Sequence, residues 1–232
     1  MDKKIEIIPA ILPIDIQEVI DKTIKVENAV PFVQIDLCDG KFTSTSTWPF
    51  IRGSLPTFND DFEMPSWGKL DFEFDLMLLS PEQHIDNIKN MGCSRAVLHI
   101  GSTSQEGLVR AATELDAYDV EVGIAITNDT DLKDLHSIIF DLEEANISPY
   151  IQVMGISERG KQGQPFDVRT LDTVKNIRTR YANIPLQVDG SVSDMNAASL
   201  VAAGVTRLVV GSWLFKDGDT TTNRLKMLKN LL

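Results

Sequence analysis

Residues 33–40 read VQIDLCDG. Along an extended chain, successive side chains point to opposite faces. Val33, Ile35 and Leu37 therefore share one face, and Gln34 and Asp36 share the other. Asp39 and Gly40 follow as a turn. A strand with one apolar and one polar face, closing on an acidic turn, needs an apolar partner outside it and polar company inside it. The same parity recurs along the chain. Phe72, Phe74, Leu76 and Leu78 oppose Asp71, Glu73, Asp75 and Met77. Ile151 and Val153 oppose Gln152 and Met154, and Leu186 and Val188 oppose Gln187 and Asp189. In a closed barrel the apolar face meets a surrounding helix and the polar face points inward.

Strand patterns fall at 5–12, 32–37, 71–78, 95–100, 121–126, 150–156, 185–190 and 207–212. Helical periodicity lies between most of them. DIQEVIDKTIKVENA (15–29), SPEQHIDNIKNMG (80–92) and TDLKDLHSIIFDLEEA (130–145) show it most plainly, with Asp15, Ser80 and Asp131 near N-caps and Gly92 as a C-terminal stop. Residues 41–70 are rich in Ser, Thr and Trp and carry at most a short helix around Trp48–Leu55. Eight strands alternating with helices predict an α/β (β/α)8 TIM barrel forming a single domain over 1–232. An open doubly wound sheet is the rival. The first strand–helix turn lacks the glycine-rich dinucleotide signature, which lowers that reading. Low in the barrel, inward-facing charges must pair, so Arg95, Arg207, Glu73 and Glu121 are expected to form an internal ion network.

The net charge of −12 argues against nucleic acid and anionic membrane surfaces as partners. No apolar run reaches the length of a membrane span. The stretch MDKKIEIIPAILPID reads as a strand, not a signal peptide. Cys38 and Cys93 lack metal or redox spacing and fit a cytoplasmic protein with free thiols.

Barrel sites lie at the C-terminal strand ends. Parity puts Ala10, Gln34, Asp36, Asp75, Met77, His99, Met154 and Asp189 there. Two carboxylates 4 Å apart at an effective dielectric of 20 repel by roughly 4 kcal/mol, so this acidic set calls for a bound cation or raised pKa values. Glycines mark the rest of the mouth: GKQGQPF (160–166), VDGSV (188–192) and VVGSWLF (209–215) follow strands six, seven and eight. Successive backbone N–H groups at such turns can cradle a phosphate. The plainer alternatives are that a strand-end aspartate is a cap or turn former, that Met77 and Met154 are packing, and that Cys38 is a small hydrophobe. His84 and His136 read as surface or capping groups.

The ordered set PAIL (9–12), VQIDLCDGKF (33–42), EFDLMLLSPEQHI (73–85), VLHIGS (97–102), MGISERGKQGQPF (154–166), QVDGSV (187–192) and VVGSWLF (209–215) resembles the ribulose-phosphate 3-epimerase family across nearly the whole chain. The resemblance implies a (β/α)8 barrel that interconverts D-ribulose 5-phosphate and D-xylulose 5-phosphate, with Asp36 and Asp189 as acid and base on opposite faces of the substrate. It places Met77 and Met154 beside the substrate and the phosphate on Gly163, Gly190, Gly211 and Ser212, with Ser191 in the same turn. It also implies a cytoplasmic homo-oligomer. The departures are specific. The family holds a divalent metal with two histidines and two aspartates; here Gln34 and Asp75 stand where those histidines belong. Ala10 replaces a serine and Cys38 a methionine, and the loop ISERGKQGQ is one residue longer. Gln34, Asp36, Asp75 and Asp189 then form an all-oxygen set suited to Mg or Mn rather than Zn or Fe, or the metal is absent. The alternatives are another phosphosugar-acting barrel enzyme (epimerase, aldolase or decarboxylase) and a non-catalytic phosphosugar-binding barrel.

Overall fold

The eight strands follow one another around a closed parallel barrel in chain order. They are β1 (Glu6–Ile11), β2 (Phe32–Cys38), β3 (Asp71–Met77), β4 (Cys93–His99), β5 (Glu121–Ile126), β6 (Tyr150–Met154), β7 (Leu186–Asp189) and β8 (Arg207–Val210). β1 closes the ring on β8, with Glu6 opposite Arg207. The structure is a computed structural model and describes residues 5–50, 56–58, 62–216 and 220–232. Among these residues no helix is long and apolar enough to cross a membrane.

Helices α1 (Ile16–Val26), α2 (Ile85–Asn90), α3 (Gln105–Asp116), α4 (Leu132–Glu144), α5 (Thr170–Arg180), α6 (Ala197–Ala203) and α7 (Thr221–Leu231) surround the barrel. Asp15 and Asp131 cap α1 and α4, accepting hydrogen bonds from Glu18 N and Lys133 N. Each satisfies a backbone donor that the helix leaves open. Ser80 does not cap. It has a left-handed φ of 56°, its N–H bonds Ser102 O at 2.9 Å, and a short 3-10 turn (Pro81–Gln83) precedes α2. The single helix expected over 80–92 is thereby split. Among the described residues no helix joins β2 to β3. Part of the short helix expected around 48–55 lies outside them, and 48–50 form a turn.

Strand parity holds around the ring. Phe72, Phe74 and Leu76 of β3 pack in the main apolar cluster with residues of the surrounding helices, such as Val19, Leu108 and Leu135. The inward faces carry few apolar groups: Ile8, Ala10 and Val209 form one small cluster, and Val97, Ala125 and Tyr150 another. Gly123 belongs to this inner face. A Cβ there would lie 2.4 Å from the Tyr150 ring, so the phenol occupies the space that a side chain on β5 would need.

The barrel floor is an ion network. Arg95 donates to Glu121 at 2.8 Å and to Glu6 at 3.2 Å, with Glu73 3.9 Å away. Arg207 lies 3.3 Å from Glu6 and donates to Glu121 at 2.8 Å. The Arg95 guanidinium is stacked 3.6 Å from the centre of the Phe32 ring. Glu73 is fully buried, and burial pushes its carboxyl up to about 7, against the pull of Gln187 and the two arginines. Breaking such a network from one side leaves a buried charge without a partner. Arg95→Met is expected to destabilise the fold by about 3 kcal/mol in urea unfolding at neutral pH. A loss below about 1 kcal/mol, the range of exposed ion pairs, would mean that packing alone holds the floor.

Candidate active site

Above the floor, three glutamines fill the middle of the barrel. The Gln187 amide N–H2 faces Glu73 Oε1 at 2.5 Å, Gln152 Oε1 at 2.7 Å and Gln34 Oε1 at 3.3 Å. Gln34 then donates upward to Asp36 Oδ1 at 2.8 Å and Asp189 Oδ2 at 3.1 Å. Gln152 donates to Asp75 Oδ2 at 3.0 Å. His99 Nε2 lies 2.5 Å from Asp75 Oδ1. Each polar side chain sits where strand parity sent it; Gln187 ties the layer to the floor, and Gln34 and Gln152 pass hydrogen bonds on to the aspartates.

Asp36, Asp75 and Asp189 bring one carboxylate oxygen apiece to within 4.8 Å of one another, all buried. Burial, then the charges of Asp189 and Asp75, raise Asp36 well above the usual carboxylate range. Burial, then Asp75, push Asp189 up to about 8, against the hydrogen bond from Gln34. The cluster thus holds a proton at neutral pH or takes a cation in its place. Its donors are all oxygen, which fits a hard divalent ion. Gln34 enters this cluster through its amide nitrogen, as a donor to two of the three carboxylates.

One cavity opens at the C-terminal strand ends. Ala10, Asp36, Met77, Met154, Gly163, Asp189, Gly190, Ser191, Gly211 and Ser212 all line it. Gln34, Asp75 and His99 are fully buried and support this lining from behind. Asp36 on β2 and Asp189 on β7 stand on walls separated by β8 and β1. Between them lie Gly211 and Ala10, the Gly211 Cβ position being 3.4 Å from Ala10 O. A methyl and a hydrogen leave the gap between the carboxylates open. Gly190 has φ +113° and Ser191 φ +53°, so the turn after β7 runs through two left-handed residues, a conformation that collects N–H groups in a nest. The Ser191 hydroxyl bonds Gln164 O and ties this turn to the loop after β6.

Strand parity could not place individual loop side chains, although the segment GKQGQPF was expected at the mouth. Gly160, Lys161 and Gln162 line the cavity too. Arg159 stacks its guanidinium 4.5 Å from the centre of the Phe42 ring. The signal available was the unusual composition and length of ISERGKQGQ. Asp39 proves to be a builder. Its Oδ1 accepts from Lys41 N and Phe42 N at 2.8 and 2.9 Å, and its Oδ2 accepts from Leu79 N at 2.9 Å, binding the turn after β2 to the end of β3. Cys38 is buried, its sulfur 3.7 Å from Met77 Sδ, and burial pushes its thiol up.

The chain has relatives among known proteins. The chain is 22% identical over 221 residues to ribulose-phosphate 3-epimerase of Synechocystis sp., covering 93% of this chain and 89% of that one. It is 23% identical to the Aquifex aeolicus ribulose-phosphate 3-epimerase, covering 95% of each. It is 23% identical to the chloroplastic ribulose-5-phosphate-3-epimerase of Arabidopsis thaliana over 81% of this chain, spanning 63% of that protein. Among solved structures, KGPDC from Streptococcus mutans shares the fold at a TM-score of 0.68 and 11% identity, covering 98% of this chain and 97% of that one. The 3-hexulose-6-phosphate synthase from Salmonella typhimurium does so at 0.66 and 13%, covering 98% of each. The profile of the ribulose-phosphate 3 epimerase family matches residues 6–215, and the chain belongs to that family.

Proposed function

We propose that the protein is an isomerase that interconverts D-ribulose 5-phosphate and D-xylulose 5-phosphate by proton transfer at carbon 3, with Asp36 and Asp189 as the acid–base pair. One observation carries this reading: two buried carboxylates with raised proton affinity face one cavity from separate walls, beside a left-handed backbone turn. Epimerisation next to a carbonyl needs one group that takes a proton and another that delivers one to the opposite face. A proton on one of the two carboxyls at neutral pH leaves the other ionised and ready to accept. Gln34 bonds both and fixes their spacing. The C3–H bond breaks towards one aspartate, a cis-enediolate forms, and the other aspartic acid supplies the new C3–H bond. The N–H groups around Gly163, Gly190 and Gly211, with the Ser191 and Ser212 hydroxyls, hold the phosphate. Met77 and Met154 provide apolar walls that keep water from the reacting carbons.

Asp36, Asp75 and Asp189 would hold a divalent ion, Mg or Mn before Zn or Fe, and Gln34 would join them as a ligand only with its amide turned over, because its oxygen here accepts from Gln187. Bound there, the ion supplies positive charge that stabilises an enediolate. His99 and Gln152 orient Asp75 from behind, as groups behind a metal ligand do.

The acid–base assignment predicts that Asp36→Asn and Asp189→Asn each lower kcat by roughly 10³-fold in a ribulose 5-phosphate assay with Mg or Mn supplied. Full activity in the double variant would refute it. The charge cluster makes a separate prediction. A carboxyl raised in the folded state binds its proton more tightly there than in the unfolded chain. Its contribution is complete below the unfolded carboxylate range and is lost as pH rises towards the folded value, about 8 for Asp189. In chelator, the thermal midpoint is therefore expected to fall between pH 5 and pH 8, and Asp189→Asn to flatten that fall. Millimolar Mg or Mn at pH 8 is expected to restore the midpoint. No response to any divalent ion would remove the metal from the proposal.

A further inference from the structure

The loop after β6 carries a cation, Arg159, beside its cavity-lining stretch. Gly160 (φ +72°) is pressed against the end of β2 and the turn beyond it. A Cβ there would lie 2.9 Å from Thr43 Oγ1 and 3.3 Å from Cys38 Sγ. Arg159 next to it is thereby laid over Phe42, and the Phe42 ring is in turn 5.7 Å from the His99 ring. The guanidinium is half-buried, burial lowers its pKa, and Asp75 is the charge that acts on it in the opposite sense. No hydrogen bond or ion pair joins it to Asp75, whose two oxygens face His99 Nε2 and Gln152 Nε2. Arg159 has no hydrogen bond or ion pair among the described residues, and buried His99 Nδ1 also lacks a partner there. The open guanidinium therefore stands next to Gly160, which lines the cavity.

We propose that Arg159 is a specificity-determining residue that binds a carboxylate at the end of the substrate opposite the phosphate. This inference rests on the phosphosugar reading of the same cavity. It adds a substrate class: a phosphorylated 2-keto sugar acid, with a carboxylate at carbon 1, favoured over the neutral ketose phosphate. The length of the site supports it. The phosphate cradle lies by β7 and β8, the acid–base pair stands over the centre, and Arg159 lies over Phe42, beyond the end of β2. Stacking on Phe42 presents the guanidinium as a flat fork, and a fork matches a carboxylate through two parallel hydrogen bonds. A neutral hydroxymethyl group accepts at one point and leaves the partly desolvated charge uncompensated. The chemistry is unchanged and needs no co-reactant: the C3–H bond breaks on one face and re-forms on the other.

Two non-reacting probes of equal length separate the ideas. Ribitol 5-phosphate ends in a hydroxymethyl group and 5-phosphoribonate in a carboxylate. Calorimetric titration of the full chain in Mg is expected to show the carboxylate probe binding at least about tenfold more tightly. In Arg159→Gln and Arg159→Ala the two affinities are expected to converge within about twofold, with ribitol 5-phosphate nearly unaffected. Equal affinities in the unaltered protein, or a preference that survives in both variants, would overturn the role of Arg159 while leaving the phosphosugar reading intact. Binding of neither probe would overturn both.

Discussion

A polar group inside a closed barrel must find its hydrogen bonds inside that barrel, because neither water nor a free sheet edge is within reach. This protein fills much of its barrel with such groups. The obligation runs from the floor to the mouth. Arg95 and Arg207 answer Glu6, Glu73 and Glu121. Glu73 receives bonds from Tyr150 and Gln187. The glutamine layer connects these to Asp36, Asp75 and Asp189. An amide suits the middle because it both donates and accepts without adding charge. Acidic groups in its place would set Glu73 and the three aspartates in direct contact, with nothing between to spread their repulsion.

The two aspartates of VQIDLCDG show how position decides the use of one side chain. Asp36 is on the strand and points inward among other acids, so burial and repulsion raise its proton affinity. Asp39 lies beyond the strand end, where three backbone N–H groups converge on it. The first holds a proton more tightly than a free carboxylate does. The second spends its oxygens fixing the rim. Phe42, held in place by one of those N–H bonds, supplies the surface on which Arg159 lies. A turn that looks like local structure thus reaches the far side of the cavity.

The fold was legible because parity is a local property with a global meaning. Gln34, Asp75, Gln152 and Gln187 alternate with Val, Ile, Leu and Phe, and a barrel with outer helices satisfies both faces. Pairing of Arg95 and Arg207 with Glu73 and Glu121 followed from the same rule, although Glu6 joined them unforeseen. The cavity lining on strands was legible for the same reason. Three things were not. Ser80 looked like a helix cap, but its left-handed backbone is set by a bond to Ser102, far along the chain. The direction of the Gln34 amide depends on which neighbours need donors. The position of Arg159 depends on Gly160 meeting Thr43 and Cys38, contacts that no periodicity encodes.

These last features explain one another. The family resemblance implies neutral imidazoles where this chain has Gln34 and Asp75. Exchanging an imidazole for Asp75 adds a negative charge to a site that already holds Asp36 and Asp189, and that charge raises both of them. A half-buried guanidinium within its field offsets part of the added charge. Yet Asp75 is bonded to His99 and Gln152 instead of Arg159, so the two charges balance at a distance and the donors of the arginine stay open. A direct ion pair would have balanced the charge as well, but it would have closed the cavity to a ligand on that side. The acidic strand end and the loop after β6 are therefore linked through the field between Asp75 and Arg159, without a bond between them.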